Sequence, residues 1–258
     1  MTRLLARLAA VPAAALAVLA AGPLTAPAAQ AAPDKPILTS WAHPGVVEVP
    51  GGGFAMLRTV SWDKPGASRT APTPRGPWKA TKKRLLTSAP KWANRSKRGV
   101  WAPSVVQGAN GRWVVYYSAL IRGSSHSRCI GTGVADNPTG PFTPAARPIA
   151  CWNRKLKPQD LVPNERSTSI IDATPAKVGG YTVLTFKTEH AYRKNGRTMW
   201  QTSIRMLNLD PAAPNRAIAN PVNKKVRSVL LTRKRHRYIE ENPSLVQHGS
   251  TFTLFTSW

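Results

Sequence analysis

Of 258 residues, 37 are Lys or Arg and only 11 are Asp or Glu, a formal charge of +26. A field of that sign attracts polyanions. The two cysteines, Cys129 and Cys151, have no His or Cys neighbour at metal-ligand spacing, which excludes a zinc site.

The first 31 residues read as a secretory leader. Arg3 and Arg7 precede an Ala/Leu/Val run, and Ala29-Gln30-Ala31 offers a small-x-small cleavage site. A membrane anchor is the competing reading, but Pro12 and Pro23 interrupt the run, and no other stretch is long and apolar enough to span a bilayer. The mature chain, 32–258, is therefore expected to be secreted, extracellular and without a membrane span. Its length suits one large domain. Export argues against nucleic acid as the partner of the basic clusters, which include Lys82-Lys83-Arg84, Arg95 to Arg98, Lys224-Lys225 and Arg233 to Arg237. An anionic cell-wall polymer fits better, and a basic solvated surface with no dedicated ligand fits as well. In an oxidising compartment Cys129 and Cys151 are expected to form a disulfide, with two buried free thiols as the alternative.

Helical periodicity is scarce in the mature chain. The 24 Pro and 18 Gly separate short apolar, β-branched and aromatic runs: GFAMLRTV, RWVVYYSAL, YTVLTFKT, TMWQTSIRML and TFTLFTSW. These predict strands and an all-β protein. A phrase recurs four times: WAHPGVVEVPGGGFAMLRT, WAPSVVQGANGRWVVYYSA, IIDATPAKVGGYTVLTFKT and EENPSLVQHGSTFTLFTSW. Each has a Pro, a short apolar run, a Gly-containing turn, and an aromatic that opens a second strand. The prolines are Pro44, Pro103, Pro175 and Pro243, at spacings of 59, 72 and 68 residues. Each unit leaves room for four strands, so the repeat predicts a β-propeller. A β-sandwich would not explain the recurrence. In a propeller the innermost strand of each blade ends at the central channel, so the residues before each Pro should converge. They are Trp41-Ala42-His43, Val100-Trp101-Ala102, Asp172-Ala173-Thr174 and Glu240-Glu241-Asn242. The alternative is that Asp172 and Glu241 simply pair with some of the many cations.

These stretches resemble glycoside hydrolase family 43, five-bladed propellers that hydrolyse arabinosides, xylosides and related glycosides. WAPSVVQ resembles the family's Trp-Ala-Pro-Asp-Val strand. CIGTGVADNPTGPFTP, residues 129–144, resembles its strand leading into a Pro-Thr-Gly-Pro-Phe turn and is the most specific match. SIIDATPAKVGGYTVL and EENPSLVQ resemble its Ile-Asp-Pro and Glu-x-Pro-Ser-Leu-Val blades. The order holds from about residue 40 to the end of the chain. About four of five blades are then expected, since the fourth copy runs to Trp258, and the sequence is then either a fragment or an incomplete propeller with an open edge. The resemblance implies an inverting hydrolase of arabinose- or xylose-containing polysaccharide. Glu241 would be the general acid and Asp172 the carboxylate that orients substrate and tunes the acid. His43 stands where the family places its general base, an Asp. His43 is then a substitute base, or the mark of a non-catalytic carbohydrate-binding descendant, or a sign that another acid such as Glu48 serves. Two further departures are Ser104 in place of Asp, and Ala173-Thr174 between Asp172 and Pro175. Trp41, Trp101 and Tyr238 lie near the expected axial ends and are candidates to stack on sugar. His190, His236 and His248 have no metal spacing, so no cofactor is implied, with a channel metal ion left open. The rival readings are a glycan-binding propeller and an adhesin for anionic wall polymer.

Overall fold

The computed structural model describes residues 37–95, 99–152, 168–236 and 238–257, with backbone alone at 235 and 236. The predicted leader, residues 96–98 of the RSKR cluster, Arg237 and Trp258 lie outside the described residues. Among the described residues there is no helix, and hence none long and apolar enough to cross a membrane.

Among the described residues fourteen strands form four antiparallel sheets. Blade I holds β1 (Gly45–Glu48), β2 (Phe54–Leu57), β3 (Ser68–Ala71) and β4 (Lys79–Ala80). Blade II holds β5 (Trp101–Gln107), β6 (Trp113–Leu120), β7 (Arg128–Ala135) and β8 (Thr143–Pro144). Blade III holds β9 (Ser169–Val178), β10 (Tyr181–Lys194), β11 (Arg197–Leu209) and β12 (Val229–His236). The fourth sheet is one hairpin, β13 (Glu241–His248) with β14 (Thr251–Ser257). The first strand of each sheet packs against the first strand of the next, β1 on β5, β5 on β9 and β9 on β13. This is a partial propeller with the four inner strands side by side. The approach is close: a Cβ at Gly45 would run into the Pro103 carbonyl.

β6 is buried on both faces throughout, and β10 from Thr182 to Thr188, which is why these sequences read as continuous apolar runs. One core fills the space between blades I and II around Tyr117, whose ring stacks on Trp92 and meets Trp62 edge-on, each at 6.4 Å between centroids. A second core lies between blades II and III around Tyr116, Phe186, Leu184 and Ile130. Cys129 on β7 forms a disulfide with Cys151, 22 residues on.

The ladder corrects one reading of the repeat. Trp101 and Ser104 pair with Ser118 and Tyr116, so Ala102 and Pro103 bulge out opposite Tyr117 alone. The same two-against-one step recurs at Asp172-Ala173 and at Asn242-Pro243. His43, Ala102, Asp172 and Asn242 all have left-handed backbone, with φ of 48°, 42°, 56° and 53°. Asp172 is thus the register partner of His43, and Ala173, not Pro175, holds the place of Pro44, Pro103 and Pro243. No residue is inserted at this point, because the bulge absorbs one residue in every blade where the ladder passes it.

Candidate active site

The three bulges and the equivalent turn at His43-Pro44 meet at one end of the inner strands around a cavity of about 510 Å³. Its lining comes from His43-Pro44, Ala102-Pro103, Asp172-Ala173 and Asn242-Pro243, with the one or two residues that follow each pair. A bulge re-aims a side chain that a flat ladder would turn to one face. Left-handed backbone at a non-Gly residue costs about 1 kcal/mol or more, and this chain bears that cost four times around one axis.

The carboxylates gather on a cation that no motif announced. Lys187, on β10, is 1% exposed. Its Nζ donates to Glu241 Oε2 at 2.7 Å, lies 3.0 Å from Glu189 Oε2 and 3.9 Å from Asp172 Oδ2. Burial alone would push the Lys187 ammonium down. The carboxylates of Glu189, Asp172 and Glu241 outweigh it and hold the lysine above its ordinary value. For Asp172 burial is the largest influence and raises its pKa. Glu241 and Glu189 push it further up, while Lys187 and a weak 3.5 Å hydrogen bond from the Asn242 N–H oppose. Three carboxylates against one ammonium make a site where retaining a proton relieves repulsion. The backbone N–H of Asp172 donates to Ser118 Oγ at 3.2 Å, which fixes the bulge to blade II.

His43 lines the cavity opposite and is exposed. Its Nδ1 lies 3.1 Å from Thr59 Oγ1, which also accepts the Ala102 N–H at 3.1 Å. Glu48 is at the far end of β1, paired with Phe54 beside the hairpin turn, and does not line the cavity. Ser104 uses its hydroxyl to donate to the Ala173 carbonyl, so the position where an Asp was expected ties blade II to blade III. Glu240, next to Glu241, is buried in a different network and accepts from Thr232 and Thr256 hydroxyls at 2.8 and 3.2 Å.

None of the three aromatic candidates lines the cavity. Trp41 packs with Leu38 and Phe54 on Met56 and Trp78, and the Arg58 and Arg69 guanidinium groups each lie 4.6 Å from its ring centre. Trp101 lines a neighbouring cleft, with Arg128 3.5 Å from its ring centre. Tyr238 is exposed in the link between β12 and β13. Among the described residues no group of three or more His, Cys, Asp or Glu is placed to hold a metal ion. Lys187 and Glu189 were the functional candidates that motif reading missed. The signal was a Lys and a Glu at alternate positions of β10, on the same face as Thr185, following a run that is apolar enough to be buried.

No family model matches this sequence, and no curated protein does. Solved structures do match. The chain superposes on a thermostable family-43 glycoside hydrolase with a TM-score of 0.58 at 14% identity, over 84% of this chain and 63% of that one. An α-L-arabinofuranosidase from Lactobacillus brevis matches with a TM-score of 0.59 at 18% identity, over 86% and 64%. The fold is that of the family-43 glycoside hydrolases. A GH43_1 enzyme from Xanthomonas citri complexed with xylotriose gives 0.56 at 18% identity, over 85% of this chain and 67% of that one. The chain thus spans less than two thirds of the length of the first two family-43 structures. At these identities the likeness is one of fold.

Proposed function

We propose that this chain is an exported glycoside hydrolase of the family-43 type, which cleaves glycosidic bonds in arabinose- or xylose-containing polysaccharide. The observation that carries the reading is the meeting of Asp172 and Glu241 on buried Lys187 beside the axial cavity. In this reading Glu241, the more exposed of the two carboxyls, protonates the leaving oxygen, and Asp172 supports it from the wall. His43 takes the place of the base. An imidazole accepts a proton from water only through a nitrogen that carries no hydrogen. His43 therefore works in the tautomer whose Nδ1–H donates to Thr59, which leaves the Nε2 lone pair for water. No cofactor is needed for this chemistry.

A second reading, a glycan-binding propeller without hydrolysis, is favoured by one fact. Asp172 is the only acid among the described residues that line the cavity. An inverting enzyme needs two carboxyl groups roughly 6.5–9.5 Å apart with water between them. Hydrolysis of aryl arabinosides and xylosides, and of the matching polysaccharides, separates the two. Activity in the parent that falls about 100-fold or more in Glu241→Gln supports the acid role. Silence in the parent, with activity appearing in His43→Asp, establishes the binding reading. Activity unchanged in Glu241→Gln removes the acid role from Glu241.

A further inference from the structure

Two arginines of blade I stand against one indole with no anion to answer them. Arg69 lies on β3 opposite Met56 of β2, and Arg58 follows two residues after Met56, so both side chains rise from one face of the blade. That face carries its own small core, Met56, Ala71 and Trp78, with Trp41 packed against it. Each guanidinium carbon is 4.6 Å from the centre of the Trp41 ring, so the two carbons are at most twice that distance apart. Arg69 donates one N–H to the Trp78 carbonyl at 3.2 Å. Three further donors are shut off from solvent and have no acceptor among the described residues: Nε of Arg58, Nε of Arg69 and Nε1 of Trp41. Neither arginine forms an ion pair among the described residues. Glu48, the acid on β1, pairs with Phe54 at the end of the hairpin away from Arg58.

The indole face answers part of the cationic charge through its quadrupole, but its own Nε1 is a donor and it offers no oxygen to the guanidinium forks. A cluster of donors that carries two fixed positive charges and no acceptor calls for an anion. We propose that Arg58, Arg69 and Trp41 form a phosphate-binding site, separate from the axial cavity. The donor set selects the ligand class. A carboxylate has two oxygens in one plane, which a single guanidinium fork satisfies, whereas a phosphate has oxygens on several sides and meets two forks at once. Both arginines are half-buried, so their outer edges are open to a ligand while the inner N–H groups add to the field that holds it. The phosphate comes either as the free anion or as the phosphodiester of a polyol-phosphate polymer. The inference uses no group of the axial cavity, so it stands or falls independently of the hydrolytic reading.

The test is calorimetric titration of the full chain with inorganic phosphate at constant ionic strength. One phosphate per chain is expected, with affinity reduced about tenfold or more in Arg58→Gln, the loss expected when a hydrogen-bonded charge is removed. Arg58→Lys keeps the charge without the fork and should recover only part of the affinity. Lys225→Gln removes an exposed cation elsewhere and should change nothing. Melting scans control for folding: phosphate should raise the midpoint of the parent and of Arg58→Lys, but not that of Arg58→Gln. Without phosphate Arg58→Gln should melt no lower than the parent, because it relieves repulsion between two unpaired cations. Absence of saturable phosphate binding in the parent overturns the site. So does an equal loss in Arg58→Gln and Lys225→Gln, which would reveal a diffuse field, and so does acetate that competes as well as phosphate. Poly(glycerol phosphate) distinguishes the sources. Competition with inorganic phosphate that depends on Arg58 assigns the site to a phosphodiester polymer, and phosphate binding without such competition assigns it to the free anion.

Discussion

At the scale of the residue, the informative group is a carboxyl that holds its proton more tightly in the folded chain. Asp172 is raised from its ordinary value of 3.8, first by burial and then by Glu241 and Glu189, against the pull of Lys187. A carboxyl with a higher pKa folded than unfolded stabilises the fold fully below the ordinary value. That contribution is lost as pH rises through the folded value, because the unfolded chain then releases the proton first. Lys187 runs on a separate window. Its raised pKa contributes stability below its ordinary 10.5 that fades only above it, so it does not blur the acid range. Urea denaturation of parent and Asp172→Asn, from pH 3.5 upward in steps, should therefore show the parent losing stability relative to the variant as Asp172 ionises. The curves should become parallel once Asp172 is fully ionised. Curves parallel over the whole range would mean that Asp172 is no more protonated folded than unfolded. The same burial explains the amide contact to it: the Asn242 N–H is what a carboxyl in a desolvated wall needs.

At the scale of the element, the bulge decides which residues meet. Pro103 and Pro243 stand at the second bulge position of blades II and IV, where the ladder skips and no N–H is required, and Pro44 follows the equivalent turn in blade I. Ala173 occupies the same place in blade III after the same left-handed residue. Ala173→Pro should be accepted there and should stabilise by about 0.4–1 kcal/mol, through a less flexible unfolded chain. For a domain of this size that raises the melting midpoint by roughly 1–3 °C. A large fall would mean that the Ala173 N–H is engaged in this blade alone. The blades themselves were legible in the sequence because Pro and Gly punctuate the apolar runs, so four hairpins, and the convergence of Asp172 with the other pre-bulge residues, could be foreseen. The register of blade III could not. Pro175 lies two residues past the bulge and imitates the repeat, and only the pairing of Thr174 with Thr185 and of Ile171 with Lys187 shows where the step falls. Lys187 was hidden for a similar reason. Its partners are remote, 54 residues away for Glu241, and an isolated Lys in a strand reads as a solvated face until the strand is seen to be buried on both sides. Trp41 misled in the opposite sense. Its place two residues before His43 suggested the axis, but the alternation of the chain turns it outward onto blade I, against Arg58 and Arg69.

At the scale of the whole molecule, the charge is the term that no single contact answers. With 37 Lys and Arg against 11 Asp and Glu, most cations have no carboxylate to meet. Several of the acids are already committed: Glu189, Asp172 and Glu241 to Lys187, Glu240 to the β12–β14 network, and Asp136 to Arg112. Among the described residues most of the remaining positive groups lie on the surface, at distances set by the fold, while Arg205 is buried against Ser228. Folding brings them closer than they are in the expanded chain, so self-repulsion opposes the compact state. Repulsion between exposed charges is screened over about 30 Å at 0.01 M salt and over about 10 Å at 0.1 M, so added salt relieves the folded state more than the unfolded one. The melting midpoint should then rise by a few degrees between about 10 mM and 300 mM NaCl, equivalent to about 1 kcal/mol for a domain of this size. The buried Lys187 cluster works the other way, but its charges are shielded from the electrolyte and should move little. A midpoint that falls with salt would show that net attraction, in ion pairs at the surface, outweighs repulsion. It would also remove the physical ground for expecting the molecule's outer face to gather polyanions.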